Sequence, residues 1–464
     1  MTLTTSPTTD NLRSDADAHL WRHFAAHSAD DRTQLPVMVG GEGCYLIDTE
    51  GRRYLDGLSN LFCVNLGYGY GEELGQAALA QYRQLGYHSS WGSTHPAAIE
   101  LATRLAELAP ANLSHVFLTP SGGESVEAAW KIARQYHRLR GEHRWKAIGR
   151  EMAFHGTTLG ALSLNGITDI RTTFEPLLPG ASHVANTRRL GRPDDETEDA
   201  FTAFLLDDLE RRIRTEDPAT VAMVILEPVQ SHGGALVPPA GYHAGVRAIC
   251  DHYGILLVAD ETVTAFGRLG EWFGSTRYDV APDIITTAKG LSSAHAVIGA
   301  VLVDEKVADQ FRIEGTMLRH GNTFGGHPVM AAVALRNLEL MDELGINAHV
   351  RAKEAELTRK LTTLRTLPIV ADTRGSGYFH AIEMISTHPD GRPFSDAEKA
   401  RLYGAAMLGD PLVERGVLLR VSLEGGDPIM SVAPPLVADT AEFDQIVEAV
   451  YDVLARLGEQ AGLA

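Results

Sequence analysis

Six short apolar runs constrain the fold most: HVFLTPSG, KAIGREMAFHG, VAMVILEPV, YGILLVADET, PDIITTAKG and VIGAVLVDE, all between His115 and Glu305. Their oily residues do not alternate with polar ones, so a strand made from any of them needs cover on both faces. Helix-like stretches such as Val126–Leu139 and Gly241–Tyr253 lie between some of them. Strand and helix in alternation predict an α/β fold, a mostly parallel sheet sandwiched by helices. In such sheets ligands collect beyond the carboxyl ends of the strands, where loops converge and helix amino termini point inward. Ser121, His155, Glu227, Asp260 and Lys289 all stand at those ends, and their agreement says more than any one of them.

At 464 residues the chain exceeds the size at which one core stops growing, so more than one packed unit is expected. GCYLIDTEGRRYLDG, from Gly43 to Gly57, reads as a hairpin around a Glu-Gly turn, and Glu72–Leu85 and Ala97–Leu108 read as helices. After His327-Pro328 a helical pattern runs through MAAVALRNLELMDEL, and an amphipathic helix around Phe443–Leu457 closes the chain. The expected division is an amino-terminal segment, 1–80, packing with the small domain; a large cofactor-binding domain, 81–329; and a small α/β domain, 330–464.

Lys and Arg number 41 against 60 Asp and Glu, a net charge of -19. That field repels nucleic acid and anionic membranes, although a local basic pocket can still hold a small anion. The most acidic stretch, PDDETEDA at Pro193–Ala200, reads as a solvated loop. Three cysteines without CxxC spacing give neither a disulfide framework nor a zinc ribbon. The start is polar, without the apolar segment of a signal peptide, and no run reaches the roughly 18 apolar residues of a membrane span. The expectation is a cytoplasmic protein with a frayed amino terminus.

In LTPSGGESVEAAWKIARQYH an extended run ends at Pro120 and a helix opens near Glu124. Ser-Gly-Gly between them is either an ordinary turn and cap or a nest of N–H groups for a phosphate monoester. Asp260 closes LLVAD as a cap, or as a carboxylate paired with a cofactor's ring nitrogen. Thr262 falls on the same side by strand periodicity, and Phe154 could cover the ring's other face. His155, beside Gly156, supports the pocket rather than acting as its base; Glu227 is an edge residue or a carboxylate orienting donors around the ring. Neither has ligand spacing with another His or Cys, so no catalytic metal is expected. Lys289 ends its strand either as a solvated charge or as an amine kept unprotonated by a cationic, partly desolvated pocket, ready to attack an aldehyde. Taken together these parts describe a site for pyridoxal 5'-phosphate.

The chain resembles the class III aminotransferases among the fold-type I pyridoxal-phosphate enzymes, most of all the ω-amino acid and amine:pyruvate transaminases. The resemblance runs in order from about Trp21 to Leu457, through YLDGLSNLFCVNLGYG, SGGESVEAAWKIAR, FHGTTLGALSL, LEPVQSHGG, LLVADETVTAFGRLG, PDIITTAKGLSS, HGNTFGGHPVMAAVAL and GVLLRV…SVAPPLV. It implies Lys289 as the Schiff-base lysine, Asp260 on the pyridine nitrogen, Gly122 and Gly123 as phosphate-binding backbone, Phe154 stacked on the ring and Glu227 orienting polar groups. It implies that Thr323 reaches the phosphate held by the other subunit of a homodimer. Arg420 would be the mobile arginine that meets a substrate carboxylate, and Phe62 and Trp91 would line the substrate pocket. Departures stand at Gly123, where relatives usually carry serine; at Phe154, often tyrosine; at Thr262, commonly valine; and at Val297, often proline.

The implied reaction moves an amino group from a primary amine or ω-amino acid to a keto acid or other carbonyl acceptor, by a ping-pong route. An aminomutase or a racemase would share its first proton abstraction, a decarboxylase would use the same cofactor to release carbon dioxide, and a non-catalytic binding or scaffolding homologue is the alternative of another class. A nicotinamide dehydrogenase is disfavoured, because no glycine-rich fingerprint opens an early strand–helix unit.

Overall fold

The hairpin turns on one carboxylate. Buried Asp48 accepts from the N–H groups of Glu50 and Arg52 and from the Tyr54 hydroxyl, so the Glu50-Gly51 corner closes as an Asx turn. In the computed structural model, which describes residues 8–24, 36–110, 112–388, 391–403, 410–423 and 427–460, β1 (Met38–Glu42), β2 (Tyr45–Asp48) and β3 (Arg53–Asp56) form the resulting antiparallel ribbon. Residues 1–7 of the expected frayed terminus, and 461–464 at the other end, lie outside the described residues; Thr9–His19, within the same polar start, are not frayed but form a helix capped by Thr8, whose hydroxyl accepts from the Asn11 N–H.

The central sheet holds β4 (His115–Thr119), β5 (Lys146–Arg150), β6 (Ala181–Val184), β7 (Val221–Leu226), β8 (Leu256–Asp260), β9 (Ile284–Thr287) and β10 (Gly299–Val303), in the order β4-β10-β9-β8-β7-β5-β6. Only β10 runs against its neighbours, so the other six strands open their carboxyl ends on one edge. Both faces are covered. Met223 and Ile225 pack with Val126, Ala129 and Trp130 of the helix Gly122–Leu139. Val224 and Leu226 face the other way, onto Leu205, Leu209 and Val246. This is the period-two division that a doubly buried strand requires.

Two further features depart from the sequence expectation. β6 was not anticipated: its four residues, ASHV, are half-buried for three positions and too short to carry a pattern. The helix Glu198–Thr215 starts inside the acidic stretch, capped by Thr197, whose hydroxyl accepts from the N–H of Ala200. Glu198 and Asp199 then sit in its first turn, where carboxylates complement the positive end of the helix dipole.

Toward the carboxyl end, β11 (Val370–Ser376), β12 (Phe379–Met384), β14 (Arg420–Ser422) and β15 (Ile429–Val432) make an antiparallel sheet in the order β11-β12-β15-β14. β13 (Val417–Leu418) joins β3 in parallel instead, so GVLLRV crosses between sheets at Leu419. Gly57 lies under that crossing: its N–H donates to Leu418 and its carbonyl accepts from Ala433. A Cβ there would stand 2.5 Å from the Leu419 side chain, which is why the position holds glycine. The helix Pro328–Glu343 packs on Gly71–Gln84 and Pro96–Leu108, and the last helix, Thr440–Gln460, on Ile346–Thr362.

One buried guanidinium ties these parts together. Arg268 donates to the carbonyls of Tyr378 and Pro434 and to the side chains of Ser59 and Asn65. Burial lowers its pKa to about 10, still cationic at neutral pH.

Candidate active site

Asp260, the last residue of β8, is buried at the open edge of the sheet. Its Oδ2 accepts from His155 Nδ1 at 2.8 Å. Its Oδ1 accepts from the Thr262 N–H at 3.1 Å, the Thr262 hydroxyl at 2.6 Å and the Thr286 hydroxyl at 3.0 Å. Thr286 reaches it because the two residues are register partners on β8 and β9. Burial alone would raise the pKa of this carboxyl, but the donors outweigh it and hold the group below the ordinary aspartate value. Glu227 goes the other way: burial, with the charge of Asp260 adding to it, raises its pKa despite His155 nearby. Its Oε2 accepts from the Ser231 N–H at 2.8 Å.

Lys289 follows β9 through Ala288 and opens a single 3-10 turn, with φ of 45°. That left-handed backbone is unfavourable for a side-chain-bearing residue. It lets the chain turn sharply off the strand at the sheet mouth. The ammonium stands 5.5 Å from the centre of the Phe62 ring. Burial lowers its pKa; Cys63, Asp260 and Glu227 oppose the shift and Arg420 reinforces it.

Beside them the helix Gly122–Leu139 begins, capped by Ser121, whose hydroxyl accepts from the Glu124 N–H. The N–H groups of Gly122 and Gly123 lie in the first turn, where a helix has no internal acceptors for them. A Cβ on Gly122 would meet Thr262 Cγ2 at 3.0 Å, whereas one on Gly123 would find its nearest neighbours, Gly156 and Thr158, at 3.7 Å. Thr158 Oγ1, His155 Nε2 and Glu227 Oε1 are buried without a hydrogen-bond partner. Such orphans are costly unless a ligand satisfies them.

The ring of Phe154 stacks on His232, centroids 4.8 Å apart and planes at 20°. Arg420, the first residue of β14, donates from Nη2 to His232 Nε2 at 3.3 Å. Phe62 packs edge-on against Phe379 at 5.5 Å. Trp91 and Thr323 form a second group on the protein surface. Trp91 is 69% exposed, its indole close enough to Gly321 that a Cβ there would stand 2.9 Å from it. Thr323 is exposed, and its carbonyl accepts from Tyr87 at 2.8 Å. Sequence reading did not single out Thr158, Thr286 or His232. Thr286 could have been found from register, since the end of β9 aligns with the end of β8; His232 lay in the quoted LEPVQSHGG without a spacing to flag it.

The model of the family "aminotransferase class-III" matches residues 26–454. The chain belongs to the class-III aminotransferases. It is 43% identical over 450 residues to a probable aminotransferase of Mycobacterium tuberculosis, covering 97% of this chain and 95% of that one. A thermostable (S)-enantioselective omega-transaminase from Thermomicrobium roseum superposes with a TM-score of 0.92 at 36% identity, over 97% of this chain and 99% of that one. The omega transaminase of Pseudomonas jessenii, solved in complex with PMP, gives 0.90 at 30% identity, over 98% and 99%. The protein is therefore an aminotransferase of the fold-type I architecture. Its family depends on pyridoxal 5'-phosphate, and the residues present fit that group: unpaired N–H donors beside an orphaned hydroxyl, an ionised buried carboxylate, and a desolvated amine. Among the described residues no group of three His, Cys, Asp or Glu is arranged to hold a metal, and no helix is long and apolar enough to cross a membrane.

Proposed function

We propose that this aminotransferase works as a homodimer with pyridoxal 5'-phosphate, moving an amino group from a primary amine or ω-amino acid to a keto acid or other carbonyl acceptor in two half-reactions. When bound, the cofactor supplies an aldehyde and a protonated pyridine ring that draws electrons from the carbon losing its proton. Lys289 is the covalent anchor and, once neutral, the base that takes that proton and returns it. Asp260, kept ionised by His155, Thr262 and Thr286, would hold the ring nitrogen's proton in place. Gly122, Gly123 and Thr158 would hold the phosphate. Phe154 and Thr262 would flank the ring, with Glu227 and His155 behind Asp260. Arg420 is the clamp for a substrate carboxylate, because its planar fork matches two oxygens, and Phe62 lines the donor side.

The exposed placement of Thr323 and Trp91 on one surface supports their working across a subunit interface, Thr323 on the phosphate and Trp91 at the substrate pocket. The three sheets support the division 1–80, 81–329 and 330–464, whose outermost residues lie outside the described ones. Three free thiols and a net charge of -19 support a cytoplasmic protein without nucleic-acid partners.

The observation that carries this reading is the desolvated Lys289 amine in the same pocket as the hydrogen-bonded Asp260 carboxylate. Reconstitution with pyridoxal phosphate tests it. A visible imine band is expected, absent in Lys289→Ala, with borohydride fixing the cofactor on Lys289, and amine donors should turn over with pyruvate or 2-oxoglutarate. A reduced adduct on another lysine, or a product formed without any acceptor, overturns it.

A further inference from the structure

His232 stands between two residues already placed in the pocket. Its ring lies flat against Phe154, only 8% of its surface is exposed, and its Nε2 accepts from the Arg420 guanidinium. A nitrogen that accepts cannot carry a proton, so the imidazole is neutral in this arrangement. Burial, reinforced by Arg420 first and then by Lys289 and His155, lowers its pKa well below the ordinary value and keeps it so. Arg420 also depresses the Lys289 amine.

A carboxylate in place of His232 would neutralise Arg420 and compete with any incoming carboxylate. A neutral imidazole occupies one of the five guanidinium donors and adds no counter-charge. At 3.3 Å the bond is at the long end of the range; it orients without binding tightly.

We propose that His232 is a positioning residue for Arg420, a neutral latch that holds the guanidinium beside the His232–Phe154 stack without adding a counter-charge of its own, and so favours substrates bearing a carboxylate. The inference rests on the transamination site described above. The test compares pyruvate with butyraldehyde, a neutral acceptor, at a fixed amine donor, using holoenzyme of the wild type, His232→Gln, His232→Ala and His232→Glu. Glutamine keeps an acceptor, alanine removes it, and glutamate substitutes an ion pair. The pyruvate KM is expected within about threefold of wild type for glutamine, raised about tenfold for alanine and about thirtyfold or more for glutamate, with kcat within about threefold throughout. The butyraldehyde KM should move less than about threefold. Equal shifts for both acceptors, or a glutamate variant with unchanged pyruvate KM, overturn the latch while leaving the transaminase reading standing. A wild type that transaminates neither acceptor overturns both.

Discussion

Gly123→Ser should tighten cofactor binding. The substitution adds a Cβ and a hydroxyl to the first turn of the helix that begins at Gly122. The nearest heavy atoms to that Cβ, on Gly156 and Thr158, are at 3.7 Å, ordinary contact distance, so the side chain enters without displacing anything. The helix start brings the new hydroxyl to the pocket assigned to the phosphate. A hydrogen bond to a charged group contributes about 1.5–3 kcal/mol, roughly 10- to 150-fold in Kd. Thr158 Oγ1 is close enough to compete for the hydroxyl, so the lower end, about tenfold, is expected. Gly123→Ala isolates the hydroxyl: it shares the backbone change, and its Kd should stay within about twofold of wild type. Titration of cofactor-free protein with pyridoxal phosphate, followed by absorbance, measures all three. If serine binds no better than alanine, the phosphate does not sit at this helix start. If both bind much worse, the open space beside Gly123 is not there.

Other outcomes follow from the same geometry. Arg268→Ala should cost about 1–3 kcal/mol for each buried acceptor that is left without a donor; an unchanged urea midpoint would count against that, and Arg268→Lys should recover only part. Glu227 has a raised pKa in the folded protein, so the native state keeps a proton that the unfolded chain releases above about pH 4.3. Stability contributed there falls as pH rises from that value to the folded pKa, and Glu227→Gln removes the loss while its amide oxygen still accepts from Ser231. Its melting temperature should therefore exceed that of wild type by more at pH 8 than at pH 4; equal gaps would refute the direction. For the subunit exchange, a mixed dimer of one Lys289→Ala chain and one Thr323→Val chain should carry a single site with wild-type cofactor affinity. If that site shows the weaker affinity of Thr323→Val, the threonine acts within its own chain.

The strands that carry Asp260 and Lys289 were legible because each is an uninterrupted apolar run with a polar residue where the run stops; burial on both faces leaves that signature. β6 left none, being four residues at a sheet edge with mixed polarity. Asp260 could be picked out as a strand-end carboxylate, but its donors could not all be found: Thr262 is only two residues on in sequence, whereas Thr286 depends on how β9 aligns with β8. His232 and Phe154 meet through loops that leave different strands, and no sequence period encodes such a meeting. Trp91 was read with Phe62 as a lining residue of the substrate pocket; in the fold it is exposed and lies against Gly321, two residues from Thr323. A single chain's sequence does not say which face meets another copy.

The crossing at Leu419 also has a mechanical meaning. Leu418 is stitched to Gly57 on one side, and Arg420 is paired with Ser431 on the other. The arginine is thus rooted in a segment pinned at both ends, and its guanidinium can change position only by turning about its own side-chain bonds. In the proposed reaction, swinging between a carboxylate and an uncharged donor then calls for rotamer exchange, a matter of nanoseconds in accessible side chains.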